Sequence, residues 1–166
     1  MLKTTFLLFL LLAWLSINVS SVFAQNYEVT ISTLTGEKDD SVERVQYKVG
    51  EKVQVKVSIA NITETKMYAQ KGDDWYRPQL YRNGQLIAYR KEITDRIEKQ
   101  DNDSIFRAAG IMSLEPHKPQ VETIDISYWY PRLKPGQYQF SLERLFDKWE
   151  RVASNVVFFE VVRNQQ

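Results

Sequence analysis

The chain has no cysteine. That removes disulfides, thiol catalysis and thiolate metal sites together. A secreted domain without disulfides fits a bacterial periplasm or exterior better than an animal extracellular fluid, and it must hold together by packing alone. There is one histidine, His117, between Pro116 and Pro119. A serine hydrolase needs its histidine beside an activated serine and an orienting acid, and no Gly-x-Ser-x-Gly occurs. His117 therefore reads as an exposed loop residue. No charge excess exists either: 22 basic residues face 21 acidic ones. Nothing in that balance attracts nucleic acid or an acidic membrane surface. No apolar run reaches the roughly 20 residues of a membrane span. There is no long amphipathic helix, no βαβ rhythm, no internal repeat and no low-complexity tract.

What is there begins with a secretory signal. Lys3 precedes an unbroken apolar run over residues 6–15, and Val22-Phe23-Ala24 ends in a small residue. Cleavage after Ala24 is expected. Residues 25–166 then form one domain with no net charge, because Lys3 is the only charge removed. A chain of that size builds an adequate core without staples.

The rest alternates. Tyr27, Val29 and Ile31 read as the inward set of a first strand, and Val45, Tyr47 and Val49 as that of a second. Val53, Val55, Val57 and Ile59 are β-branched at every second place, the pattern of a strand with one buried face. Residues 66–70 suit a short strand. Asn83-Gly84 between two strand-like runs, 77–82 and 85–90, predicts a type I′ hairpin, since both residues accept positive φ. Pro78 belongs near a sheet edge or in the first residues of its strand. In residues 91–100, Ile93 and Ile97 lie four apart and Glu92 precedes Arg96 by four, which predicts one or two helical turns. Ile124, Ile126 and Tyr128 read as the inward set of a later strand.

Pro135-Gly136 predicts a type II turn, with Gly136 supplying the positive φ. Tyr138 follows two residues later and opens the alternation Tyr138, Phe140, Leu142. A tyrosine so placed can pack its ring inward and return its hydroxyl to the backbone just upstream, a tyrosine corner. Residues 144–153 read as a hairpin connection, and Val157, Phe159 and Val161 as the inward set of the last strand. The fold class is all-β: an immunoglobulin-like antiparallel β-sandwich of about seven to nine strands, with one short helical insertion.

Val49-Gly50-Glu51-Lys52-Val53, the Val/Ile strand closing on Asn61, Leu133-Lys134-Pro135-Gly136-Gln137-Tyr138, and Asn155-Val156-Val157-Phe158-Phe159-Glu160-Val161 follow in order. Together they are similar to secreted bacterial immunoglobulin-like domains. The order also resembles the BsuPI-type proteinase-inhibitor domain, a small β-sandwich. The resemblance implies a fold and assigns inhibition to no residue, because residues 77–90 and 91–104 have no counterpart in that pattern.

Several groups could carry chemistry. Asp39-Asp40 and Asp73-Asp74 are paired carboxylates, but both lie in polar turns where Asp bonds its own backbone. Asp101-Asn102-Asp103-Ser104 begins like a calcium loop, yet Phe106 stands where glycine is needed and Met112 where the bidentate Glu is needed. Asn61-Ile62-Thr63 and Asn102-Asp103-Ser104 match the glycosylation sequon, though Asn61 reads better as a strand-ending residue.

The aromatic surplus is the strongest pointer. Trp75, Tyr76, Tyr81, Tyr89, Trp129, Tyr130 and Trp149 are the candidate binding residues. Tyr128-Trp129-Tyr130 cannot all face one side of a strand. Rings with polar edges suit stacking on sugars or anchoring a protein. The alternative is that they cap the open ends of the sandwich or fill a small cluster under the insertion.

The reading is an exported, non-enzymatic immunoglobulin-like binding module of the periplasm or cell exterior. Its partner is a protein or a glycan, and no cofactor, metal or nucleic acid is expected. The alternatives are a BsuPI-like protease inhibitor, with residues 91–104 as its exposed loop, and a two-carboxylate hydrolase.

Overall fold

The computed structural model describes residues 26–33, 37–38, 45–103, 110–146 and 150–163. The expected signal sequence, the Asp39-Asp40 pair, Ser104, Phe106 and Trp149 lie outside the described residues.

Alternation in the sequence becomes strand. β1 (Tyr27–Thr33) buries Tyr27, Val29 and Ile31. β4 (Gln54–Asn61) buries Val55, Val57 and Ile59 completely and pairs antiparallel with β1, Val29 opposite Ile59. β9 (Gln120–Asp125) adds to β4 and completes a three-stranded sheet, β1-β4-β9.

The facing sheet runs β2 (Glu37–Lys38), β3 (Val45–Lys48), β12 (Val157–Val162), β10 (Gly136–Leu145), β6 (Tyr76–Arg82), β7 (Gln85–Leu86). β11 (Arg151–Ala153) pairs with the far end of β10. A separate ribbon pairs β5 (Met67–Lys71) with β8 (Gly110–Leu114). One helix, α1 (Lys91–Asp103), lies between β7 and β8 in the chain.

The two sheets close on a shared core. Val29, Ile31, Val55, Val57, Ile59 and Ile124 of one sheet join Tyr47, Leu80, Tyr138, Phe140, Leu142, Phe159 and Val161 of the other. Full burial of such a side chain contributes about 1.5–3 kcal/mol. The chain crosses repeatedly between the sheets, which is the immunoglobulin-like sandwich.

Twelve strands are described where seven to nine were expected, and nine of them are four residues or longer. The excess is β2, β7 and β11, of two or three residues each, too short to show a period. One pair, β12 with β3, is parallel within otherwise antiparallel sheets. Asn83 (φ 48°) and Gly84 (φ 80°) make the expected two-residue hairpin. The strand after it stops at Leu86 rather than running to Arg90. Pro78 has β10 on one side only, so its missing N–H costs no ladder bond. β10 continues to Leu145, and the expected connection over 144–153 folds back as β11.

At the corner, Gly136 has φ 153° and already belongs to β10, so a type II turn, with about +80° there, does not form. A Cβ at Gly136 would lie 3.1–3.2 Å from the Arg82 stem and Asn83 Oδ1. Glycine is needed there for backbone shape and for close approach.

The helix is thirteen residues, longer than the one or two turns expected. Ile93 and Gln100 are buried and Ile97 is half-buried on one face. Glu92 pairs with Arg90 at 3.9 Å instead of with Arg96. Asp101–Asp103 is the end of this helix, so neither a calcium loop nor an extended inhibitory loop begins there.

Candidate functional site

Most of the candidate rings are inside the protein. Trp75, Tyr76, Trp129 and Tyr130 are buried, Trp129 to 1% exposure. This corrects the expectation of a surface built from them. The parity argument for Tyr128-Trp129-Tyr130 assumed a strand. The chain leaves β9 at Asp125 and makes a 3-10 turn over Ile126–Tyr128, capped by Asp125 accepting from the Ser127 N–H. That curl turns Trp129 and Tyr130 inward and leaves Tyr128, expected inside, partly exposed.

Tyr89 and Tyr130 pack at 5.2 Å between centroids. Both hydroxyls donate to the Pro78 carbonyl, Tyr130 at 2.8 Å. That carbonyl sits on the stretch of β6 that β7 leaves uncovered. These rings cap an edge of the seven-stranded sheet. Burial raises the pKa of both phenols.

A second buried group is polar. Arg144 is fully buried, and its guanidinium donates to the carbonyls of Trp75 (3.1 Å), Leu145 (2.8 Å) and Gln70. It also lies 4.6 Å over the Tyr76 ring. The Tyr76 hydroxyl donates to Glu122 at 2.5 Å, and burial drives the Tyr76 pKa upward. Desolvation lowers the Arg144 pKa from its ordinary value.

Arg77 binds Gln100 (3.1 Å) and Asp101 (3.2 Å) of α1. Arg96 of α1 meets Asp74 at 3.1 Å and donates to the Tyr128 hydroxyl. Asp74, expected in a solvated turn, is buried beneath the helix, and burial raises the pKa of Asp73 beside it. These contacts fasten α1 to the sandwich.

Tyr81 belongs to a different surface. Its neighbours in β6 point inward, so its ring points out of the seven-stranded sheet and is half-buried. Register places Leu86, Tyr81, Gln139 and Phe158 side by side on β7, β6, β10 and β12. Phe158 is 53% exposed and Leu86 63%. Two interstrand steps of about 4.8 Å set Tyr81 and Phe158 about 10 Å apart, with the Gln139 amide between them.

One step along the sheet, Gln137 stands opposite Glu160, which accepts from Gln46 at 3.1 Å. Asn83 exchanges hydrogen bonds with the Gln137 backbone at 2.9 and 3.0 Å. Tyr81, Asn83, Gln137, Gln139 and Phe158 line a shallow hollow of about 190 Å³. The sequence reading named Tyr81 and missed Phe158. The signal was present: adjacent Phe158-Phe159 in a strand must face opposite ways.

Pro135, Gly136 and Tyr138 build the corner under this face. The Tyr138 hydroxyl donates to the Lys134 carbonyl at 2.6 Å and accepts the Lys134 N–H at 3.1 Å. Its ring stacks on Phe159 at 5.1 Å, nearly parallel. That stack pins β10 to β12 directly behind Gln139 and Phe158.

His117 lies exposed, 3.1 Å from Glu64. Among the described residues, no group of three or more His, Asp or Glu could hold a metal ion. No described helix is long and apolar enough to cross a membrane. Asn61 is fully buried and bonds Thr65, Leu114 and Thr63, so its sequon is closed in the folded chain.

No protein-family model and no curated protein matches this sequence. Among solved structures, it is similar to the CARDB domain of the PF1109 protein from Pyrococcus furiosus, solved in complex with di-metal ions. That match has 14% identity and a TM-score of 0.41, over 83% of this chain and 94% of that one. It is also similar to part of a beta-glucosidase from Listeria innocua in complex with glucose, at 13% identity and a TM-score of 0.40. There it covers 81% of this chain and 16% of the enzyme. A beta-glucosidase involved in saponin metabolism from intestinal bacteria matches at 9% identity and a TM-score of 0.42, again over 16% of its length. At these scores the immunoglobulin-like fold rests on the strand order of this chain itself.

Proposed function

We propose that this chain is an exported, non-enzymatic immunoglobulin-like module that binds a glycan on the outer face of its seven-stranded sheet. The observation that carries the reading is the cross-strand row Tyr81–Gln139–Phe158. Two rings flank an amide on an open, shallow surface. Rings of this kind stack on the apolar faces of sugars. Asn and Gln amides both donate and accept, which matches hydroxyl groups that do the same. The supporting β10–β12 pair is braced from behind by the Tyr138–Phe159 stack, so the ligand meets a surface already ordered.

Export is proposed from the amino-terminal signal pattern of residues 1–24. A non-enzymatic role is favoured by the chemistry of the face, which offers amides and rings; Glu160, opposite Gln137, is engaged by Gln46. A protein partner is the second reading, favoured by the exposed Phe158 and Leu86. Co-sedimentation with insoluble cellulose, chitin and xylan tests the proposal. Retention of the wild type on at least one of them, lost in Tyr81→Ala/Phe158→Ala, supports it. Equal retention of both proteins, or none of either, overturns it.

A further inference from the structure

Beyond the hairpin, two more hollows open at the same end of the sandwich, and they are basic. One of about 260 Å³ is lined by Arg82, Gln85, Leu86, Arg132 and Lys134, among others. The next, of about 330 Å³, is lined by Lys48, Lys52, Arg90 and Arg132, with Ser127 and Glu51. Pro131, Arg132 and Leu133 belong to both, so the two are joined. Leu86, which stands beside Tyr81 in the outer row, also lines the first of them.

Charge here is segregated. Six cations line the joined hollows against one acid, in a domain whose charges balance as a whole. Glu51 neutralises none of them directly: its carboxylate accepts the Lys48 backbone N–H at 2.8 Å. Lys48, Lys52, Arg82, Arg132 and Lys134 make no ion pair with a described residue.

Two of the arginines have defined neighbours. Arg90 Nε donates to the Tyr130 carbonyl at 2.9 Å. Arg132 lies across the bare backbone of Gly50, where a Cβ would stand 2.8 Å from its terminal nitrogen. Gly50 has φ +92°, so the turn needs glycine and the arginine uses the space glycine leaves. A planar guanidinium matches the paired oxygens of a carboxylate or sulfate.

We infer that the joined hollows bind the carboxylate or sulfate groups of an acidic saccharide, extending the aromatic face into an anion site. The sugar part of this inference rests on the proposed function; the anion site rests on the cations alone.

The test measures affinity of the full chain for polygalacturonate, dextran sulfate, neutral dextran and single-stranded DNA. Binding to one acidic polysaccharide about tenfold tighter than to dextran, weakening as salt rises past about 0.1 M, is expected. Arg132→Gln/Lys52→Gln, both exposed positions, should lose about tenfold of that affinity. Equal binding of dextran, an undiminished double variant or tighter binding of DNA each overturns the inference. If Tyr81→Ala/Phe158→Ala binds the acidic chains as well as wild type does, the anion site stands and the aromatic reading fails. If neutral sugars bind through Tyr81 and Phe158 while acidic ones gain nothing, the aromatic reading stands and this inference fails.

Discussion

The hydroxyl of Tyr138 both donates to and accepts from the backbone of Lys134, at 2.6 and 3.1 Å. These two hydrogen bonds to the backbone of one residue close the corner between the two sheets, just before Gly136 opens β10. Tyr138→Phe keeps the ring on Phe159 and removes both bonds. A loss of about 1–2 kcal/mol is expected in urea unfolding, with the far-ultraviolet spectrum unchanged. An unchanged unfolding midpoint would show that the corner contributes nothing.

Asn61 ties the end of β4 to the β5–β8 ribbon. Its amide donates to the Leu114 and Thr65 carbonyls at 2.9 and 2.7 Å and accepts the Thr63 N–H at 3.0 Å. Asn61→Ala leaves the buried Leu114 carbonyl without this donor and frees the half-buried Thr63 N–H, while the exposed Thr65 carbonyl keeps the Thr63 hydroxyl. Destabilisation of about 1–3 kcal/mol is expected, with faster hydrogen exchange in β5 and β8 before the main sheets. Uniform exchange across all strands would contradict that local role.

Gly50 faces two demands at once, positive φ and the Arg132 guanidinium. Gly50→Ala is expected to cost about 1–2 kcal/mol for the backbone conformation. It must also displace Arg132, so affinity for polygalacturonate or dextran sulfate should fall with it. A variant as stable as wild type with unaltered affinity would contradict both roles.

Alkaline pH should weaken the fold. Tyr76, Tyr89, Tyr130 and Tyr138 all have raised pKa values, with burial the largest cause in each. Unfolded tyrosine ionises near pH 10, so the folded state holds these protons more tightly than the unfolded chain does. Their contribution is full below about pH 10 and is lost as pH rises above it, by up to about 1.4 kcal/mol per pH unit for each such group. Urea midpoints at pH 8, 10 and 11 check this. A midpoint that holds or rises through pH 11 would contradict it.

Period-two alternation was legible wherever one face met the core, as in Val55, Val57 and Ile59 or Tyr138, Phe140 and Leu142. The tyrosine corner was legible too, because it depends on local spacing. Trp129 and Tyr130 were misplaced because a 3-10 turn replaced the assumed strand, and the period changed with it. Asp74 and Gln100 look solvated in the sequence. Only the packing of α1 against Asp74 and Arg77 buries them, and such a contact between distant segments leaves no local pattern. The aromatic face was half legible. Tyr81 stood beside a strong hairpin signal, whereas its pairing with Phe158 through Gln139 depends on the register of three strands.

Nuclear magnetic resonance of the labelled chain, titrated with cellohexaose, chitohexaose and xylohexaose, tests the binding face most directly. At least one oligosaccharide is predicted to shift the signals of Tyr81, Gln137, Gln139 and Phe158 together, with the effect abolished in Tyr81→Ala/Phe158→Ala. Shifts confined to other surfaces, or none with any of the three, would contradict a glycan site on the outer face of the seven-stranded sheet.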